Sequence, residues 1–383
     1  MNNAYKQAIF INPYTLKLRR YFHMYPELSN QEYFTHNKII EELKAMKVEY
    51  KIVGDYSIVA SITKGKSKKK IAFRCEMDAL AIEEDSDYKY QSKVKGVAHM
   101  CGHDAHMAIM LSVLKILKDI PFNGTLKVIF EEANESYNGA PRIVDSKVLN
   151  DVDFIFALHN MPNVKSGNIA ICPGIQLIGS DQINIELNGI PAHSSAPTQS
   201  SDVILAAASF INNIQSTISK GVHPQALAYA TITKFSGGSA TNITASKAEL
   251  NLNLRFVKEE IRISVHNIIK DYLKTIESQF NISSTFNVYA HQDASINDIE
   301  ICENIELSLT KLSEYINQIE SPMQIVSDSF SHYLKVTKGV IGWFGAGYKN
   351  EKIYSNHTPY FMIDEDSMKT ATALYLQVVY DNL

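Results

Sequence analysis

The densest group of chemically able side chains is His99-Met100-Cys101-Gly102-His103-Asp104-Ala105-His106, which places a thiol, three imidazoles and a carboxylate within eight residues. A cysteine and a histidine two positions apart across a glycine can turn toward one cation if the segment is a loop. A bound metal then lowers the thiol pKa, so that sulfur binds as thiolate. Such a cation needs further ligands, and two candidates follow strand-like runs: Glu135 after LKVIFEEAN and His159 after VDFIFAL. Strand ends are where α/β enzymes gather reactive groups. His357, in YSNHTP, lies in a loop before apolar sequence. Asp78, in RCEMDAL, could accept a hydrogen bond from a ligating histidine and fix its ring orientation and tautomer. Taken singly, His159 and His357 also read as hydrogen-bonded structural histidines, and Asp78 as an acidic turn residue. Their coexistence with Cys101 and His103 favours a metal.

The elements that must position these groups are legible in part. Apolar residues recur at helical spacing from Tyr14 to Met46, interrupted at Tyr25-Pro26, which predicts two helices joined by a short break. Strand-like runs follow at Ser57–Ile62, Lys70–Arg74, Gly124–Phe130 and Asp153–Leu158, with a helix over Ala105–Lys118. Strands alternating with helices imply an α/β sheet. Beyond Ile178 the texture changes. Gln182–Leu187, Ala226–Phe235 and Ala248–Phe256 alternate like half-exposed strands, and Ser201–Thr217 and Glu259–Ser278 look helical, as in a compact α+β insert. The expected division is 1–178 with 294–383 as one domain and 179–293 as the insert. KGKSKKK at 64–70 reads as a solvated loop.

Composition bounds the function class. At 383 residues, 45% hydrophobic and 20% charged, the chain can bury two ordinary cores. A net charge of -4 gives no bulk attraction to nucleic acid or anionic membrane, so the expected partner is a small molecule. Four scattered cysteines, Cys75, Cys101, Cys172 and Cys302, do not make a disulfide framework and point to a reducing compartment. The opening MNNAYKQAIFINPYTLKLRR has no apolar core after a basic head, and no stretch offers about 18 apolar residues in a row. Cytoplasmic location with no membrane partner is the expectation.

The motifs together resemble the cocatalytic-metal aminoacylases and carboxypeptidases, in the branch of hippurate hydrolases, auxin-conjugate hydrolases and bacterial N-acetyl-amino-acid deacetylases. RRYFHMYPELSNQE, RCEMDAL, GVAHMCGHDAHMAIML, FEEANESYNGA, ALHNMP, NGIPAHSSAP, GGSATNITASKAELNLNLRF and SNHTPYFMIDED occur in that family's order over nearly the whole chain. The resemblance implies a zinc-peptidase-like α/β catalytic domain with a mixed central sheet, interrupted by a smaller α+β lid that often also forms a homodimer. It implies two divalent ions on Cys101, His103, Glu135, His159 and His357, with Cys101 bridging and Asp78 orienting a histidine ligand. Zn²⁺ is the first choice, with Mn²⁺, Co²⁺ or Ni²⁺ as alternatives. It further implies that His193 stabilises the oxyanion and that Asn242 and Arg255 contact the carboxylate end of a small N-acyl amino acid or short peptide.

One position departs from that pattern. The family's general base is the first glutamate of a Glu-Glu pair whose second member binds metal, and here that pair reads Asn134-Glu135. An amide cannot take a proton from a nucleophilic water, and general acid–base assistance is typically worth about 10²–10⁴ in rate. Glu132, two residues back on the expected strand, is the nearest substitute carboxylate. Glu76 stands where an aspartate is usual, and Asp328-Ser329-Phe330 replaces a Glu-Asp-Phe pattern. Two functions follow: a metal-dependent amidohydrolase working by metal-activated water, or a metal-binding homologue with weak or no hydrolysis that serves a binding or regulatory role or another acyl transfer. If the missing base is the sole defect, Asn134→Glu raises amidase activity. In either case activity is expected to vanish once a strong chelator has removed the metal, checked by metal analysis of the same sample; turnover in verified apoprotein overturns the metal assignment.

Overall fold

The computed structural model describes residues 2–86, 88–320, 323–348 and 353–383, and the chain divides into two units, each with its own apolar core. The first comprises Met1–Gln176, Ile296–Met323 and Asp328–Leu383. The second comprises Leu177–Ser295 together with Gln324–Ser327, a short return that the sequence does not announce.

The first unit is built on an eight-stranded mixed sheet. Its order is Glu49–Val53, Ser57–Lys64, Gly124–Glu131, Lys70–Glu76, Phe154–Lys165, Lys338–Gly347, Asn168–Ala170 and Asn317–Ile319. Gly124–Glu131, Lys70–Glu76, Phe154–Lys165 and Lys338–Gly347 run parallel. They are almost wholly buried, which is why they read as nearly continuous apolar runs rather than alternating ones. Helices Asn3–Met24, His103–Leu117 and Ser367–Asn382 pack against one another beside the sheet. His103–Leu117 has buried residues around most of its circumference, so its sequence is apolar on every face.

The first helix begins at Asn3, well before the Tyr14 onset that the periodicity indicates. Pro13 reads as a helix start, yet the helix runs through it. Asn2 caps the earlier turns by accepting from the Ala4 amide at 2.8 Å, and Ala4, Ala8 and Ile11 bury a helical stripe. The helix stops at Met24, just before Tyr25-Pro26, as the restriction on a residue preceding proline requires.

Register is what serves the site. Lys70–Glu76 pairs with Gly124–Glu131 so that Arg74 faces Ile129 and Glu76 faces Glu131, and it pairs with the next strand through Phe73 and Phe156. Continued by three residues, that register sets Glu76 level with His159. The carboxyl ends of three parallel strands thus meet in one row.

In the second unit a four-stranded antiparallel sheet has the order Ser283–Gln292, Gly179–Asn188, Lys247–Phe256 and Ala228–Gly237. Period-two alternation buries Ile183, Ile185 and Leu187 with Leu250, Leu252 and Leu254, and helices Val203–Gly221 and Glu259–Phe280 complete that core. Ser283–Gln292 is a strand the sequence reading leaves unassigned. It is an edge strand whose residues are mostly exposed or half-buried, so its apolar signal is weak. Among the described residues no helix is long and apolar enough to cross a membrane.

An ionic cluster gathers around the buried Asp181 of this unit. Asp181 receives His291 Nδ1 at 2.6 Å, His266 Nε2 at 2.7 Å and Arg262 Nη1 at 3.1 Å, while His291 Nε2 lies 3.0 Å from Asp293. Hydrogen bonds to Asp181 and then Asp293 push His291 up to about 9 from 6.5. Because the folded value is the higher one, this contribution is complete below the unfolded pKa and is lost as pH rises through about 9. Melting temperature should therefore fall between pH 7 and 10, by the equivalent of roughly 1 kcal/mol after allowance for solvent screening. His291→Gln should flatten that slope; an unchanged pH profile in the variant removes His291 as its source.

Candidate active site

The loop before helix His103–Leu117 turns at Gly102, whose φ is +84° and whose Cβ, were there one, would sit 2.3 Å from Asn160 Nδ2. Only glycine meets both conditions. The turn brings Cys101 and His103 to one point. Cys101 Sγ lies 3.5 Å from His159 Nε2, and Cys101, Glu135 and His357 present ligand atoms all within 4.8 Å of one another. Glu135 Oε1 is 3.4 Å from His357 Nε2 and 3.9 Å from His103 Nε2. The five candidate ligands therefore converge, drawn from a loop (Cys101), a helix start (His103), a turn after strand Gly124–Glu131 (Glu135), the interior of strand Phe154–Lys165 (His159) and a distant loop (His357); the strand holding His159 runs on past the Leu158 end that the sequence suggested.

Each is aimed by a neighbour. His103 Nδ1 donates to the Asp78 carbonyl at 2.9 Å with the Asp78 carboxylate 3.3 Å away, which leaves Nε2 facing the cluster. Asp78 Oδ2 also accepts from Ser29 Oγ at 2.7 Å and from the Glu135 amide at 2.8 Å. His159 Nδ1 donates to the Asn160 carbonyl at 2.9 Å, which turns its Nε2 to Cys101. His357 has a φ of 63°, and its amide donates to the Met100 carbonyl at 2.8 Å, tying the distant loop to the metal-loop sequence.

The electrostatics suit a cation. Against the upward push of burial, His103 and His159 hold the Cys101 thiol well below its ordinary value. Hydrogen bonds to Cys101 and Glu135 push His357 up to about 10, and burial followed by the Cys101 charge pushes Glu135 up to about 7. His103 Nε2 is buried with no hydrogen-bond partner among the described residues, and Glu135 Oε1 is buried with only the imidazole nitrogens of His357 and His103 near it. A buried acceptor left open beside a carboxylate and a thiol of lowered pKa is the condition of a ligand set built for positive ions, so the residues present fit divalent metal.

A second group, Glu76, His103, His106 and His159, also has ligand atoms within 4.8 Å of one another. His106, however, is spent on protein contacts. Its Nδ1 is 2.7 Å from Glu76 Oε2, and its Nε2 accepts from the Asn160 amide at 3.1 Å. Glu76 in turn meets Arg74, whose guanidinium is fully buried and also reaches Glu131 Oε2 at 2.6 Å and Asp328 Oδ1 at 3.2 Å. Arg74, Glu76, Glu131, His106 and Asn160 were not singled out as site residues from the sequence. The usable signals were charged residues inside apolar strand runs and a histidine three positions after His103 on one helix.

Asn134 is adjacent to Glu135 and only 6% exposed. Its Nδ2 donates to Ser329 Oγ at 2.7 Å and lies 3.3 Å from Asp328 Oδ2. Glu132 is no substitute base. The strand ends at Glu131, and the Glu132 carboxylate turns away to the amides of Asp55 and Tyr56 and to Arg142, where it is fully buried. Unpaired backbone donors past the strand end draw it there. His193, Asn242 and Arg255 belong to the second unit. His193 is exposed with Nδ1 2.8 Å from Ser195 Oγ, the Asn242 carbonyl accepts from Ser194 at 2.9 Å, and Arg255 Nη1 donates to Ser327 Oγ at 3.0 Å.

Comparisons with known proteins agree with this geometry. The profile of peptidase family M20/M25/M40 matches residues 72–381. Thermostable carboxypeptidase 1 of Saccharolobus solfataricus is 32% identical over 94% of this chain and 93% of its own length, and the N-acetyldiaminopimelate deacetylase of Bacillus pumilus is 30% identical over 93% and 94%. A dinuclear metal-binding M20 peptidase of Bacillus subtilis superposes with a TM-score of 0.83 at 25% identity, covering 98% of this chain and all of that one. A match spanning the sheet, the ligand cluster and the second unit leaves one assignment: the chain belongs to peptidase family M20/M25/M40.

Proposed function

We propose that this chain, an amide-cleaving hydrolase of its family, removes the acyl group from a small N-acyl amino acid or cleaves a dipeptide-like amide. The observation that carries the reading is the convergence of Cys101, Glu135 and His357 within 4.8 Å, with His103 and His159 beside them and His103 Nε2 left without a partner. These five would hold two divalent ions. The thiolate and imidazole donors favour Zn²⁺, with Mn²⁺, Co²⁺ or Ni²⁺ as alternatives. Bound there, the ions supply a water of lowered pKa and a polarised amide carbonyl. Similarity to a deacetylase and a carboxypeptidase supports the substrate class.

The chain's own residues orient and bind. Asp78 fixes the tautomer of His103, and the Asn160 carbonyl fixes that of His159. From the second unit, His193 would donate to the developing oxyanion, and Asn242 and Arg255 would take the substrate carboxylate. The buried cysteines Cys75, Cys101 and Cys302, none of which forms a disulfide among the described residues, support a reducing, cytoplasmic setting. The edge strand Ala228–Gly237, with exposed Tyr229 and Phe235, supports a homodimer formed through the second unit. Asn134 favours the second reading, binding of metal with little hydrolysis, because its amide offers no proton acceptor to a water.

Protein loaded with Zn²⁺, Mn²⁺ or Co²⁺ is expected to deacylate at least one member of a panel of N-acetyl amino acids, and Cys101→Ala to abolish that turnover. Stoichiometric metal with no turnover on any member selects the second reading. Asp78→Ala should weaken metal binding by roughly 10–100-fold, measured by chelator competition; unchanged affinity removes Asp78 from the supporting shell.

A further inference from the structure

Two oxygen atoms, Ser329 Oγ and Asp328 Oδ2, form a wall behind Asn134, and the surrounding donors already decide that both act as acceptors there. Ser329 is fully buried, and its Oγ meets Arg74 Nη2 at 2.7 Å, Asn134 Nδ2 at 2.7 Å and Glu131 Oε1. Arginine can only donate, so Ser329 accepts from Arg74 and sends its one hydroxyl proton to Glu131. Its remaining lone pair is what Asn134 meets. Glu131 is itself fixed in place, its Oε2 accepting from Arg74 Nε at 2.6 Å and from Tyr333 O–H at 2.9 Å. Asp328 Oδ1 accepts from the Phe330 amide at 2.7 Å and lies 3.2 Å from Arg74 Nη2, which leaves Oδ2 as an acceptor 3.3 Å from Asn134. Every atom facing residue 134 from this side wants a proton donor.

An amide satisfies that wall with its NH₂ group; a carboxylate meets only lone pairs and the Asp328 charge. The same constraint decides which way the amide points. With Nδ2 held by Ser329 and Asp328, the carbonyl Oδ1 is turned away from the wall, and it accepts no hydrogen bond among the described residues. Asn134 also keeps slight solvent access, one residue from Glu135 in the ligand cluster.

We propose that Asn134 is a substrate-positioning residue and not a vacated base: Asp328 and Ser329 fix its amide so that Oδ1 accepts a hydrogen bond from the N–H of the bound amide substrate. Asn134, Asp328 and Ser329 are one matched set, and the departures at these three positions are a single change. The expectation that Asn134→Glu alone raises activity is thereby revised. A glutamate introduced singly is repelled by Asp328 and finds no donor at Ser329. The substrate half of this inference rests on the amidohydrolase reading; the wall does not.

The test therefore has two arms on the full-length protein. In the first, melting temperatures of Asn134→Glu, Asp328→Asn and the double variant form a cycle. Asn134→Glu should cost roughly 2–4 °C or more, and that cost should shrink by at least half in the Asp328→Asn background. A fully stable Asn134→Glu with raised amidase activity overturns the proposal, since residue 134 would then be a simple lost base. In the second arm, calorimetry on metal-loaded protein compares an N-acetyl amino acid with the corresponding O-acetyl 2-hydroxy acid, which lacks the N–H. Asn134→Ala should weaken the amide roughly three- to tenfold and leave the ester unchanged. Equal loss for both ligands overturns the positioning role. If wild-type protein binds and turns over neither ligand, the substrate-positioning claim falls with the amidohydrolase reading, while the melting-temperature cycle still decides the matched set.

Discussion

A fully buried guanidinium organises the first unit. Arg74 lies on a central strand with no access to water, and burying that charge is tolerable only if partners surround it. Glu76, Glu131, Asp328 and Ser329 meet that demand: the first two end neighbouring parallel strands, and the last two are consecutive residues just before the short helix Phe330–Tyr333. Fixing them fixes the carboxyl end of the sheet. Against the cost of burial, Asp328, Glu131 and Glu76 hold Arg74 well above its already high value, so it stays charged at any working pH.

From this knot the order passes outward in two directions. Toward the ligand cluster, Glu76 holds His106, and His106 accepts from the Asn160 amide. Asn160 in turn caps the Cys101 carbonyl and sets the tautomer of its neighbour His159. Toward the substrate side, Glu131 and Ser329 hold Asn134 beside Glu135. On the proposed reading, holding metal and presenting substrate are therefore not independent. The orientation of the candidate ligand His159 and that of the Asn134 amide both trace back to one arginine, through chains of partners whose geometry leaves few free choices.

Much of this was legible because the chemistry is local. Cys101 and His103 flank a glycine in one loop, and Glu135 and His159 follow apolar strand runs, so residue type and spacing carry the signal. An α/β sheet, whose mixed character was implied by the family resemblance, was legible from alternation of strand and helix patterns, since both-face burial leaves long apolar runs. Edge strand Ser283–Gln292 was not, because exposed faces carry little apolar pattern. The start of the first helix was read from apolar spacing at Tyr14, whereas the helix begins at Asn3, capped by Asn2, and runs through Pro13. Glu132 read as the spare carboxylate on the strand; the strand stops one residue earlier, and unpaired amides at Asp55 and Tyr56 capture it.

The sequence by itself determined the ligand types, the order of motifs and the substitution of asparagine for the expected base, because each is a matter of residue identity at a position. Through the resemblance of its motifs to a known family, it also pointed to an α/β fold and a metal-dependent amidohydrolase, with a weakly hydrolysing metal-binding homologue as the alternative. Only the tertiary structure decided that His106 is occupied by Glu76 and Asn160 rather than free to bind metal, and that Asn134 faces acceptors alone. The reason is physical: whether a histidine or an amide is a ligand, a prop or a substrate contact depends on where its donors and acceptors are already spent. That accounting joins residues separated by tens to hundreds of positions, which no local pattern records.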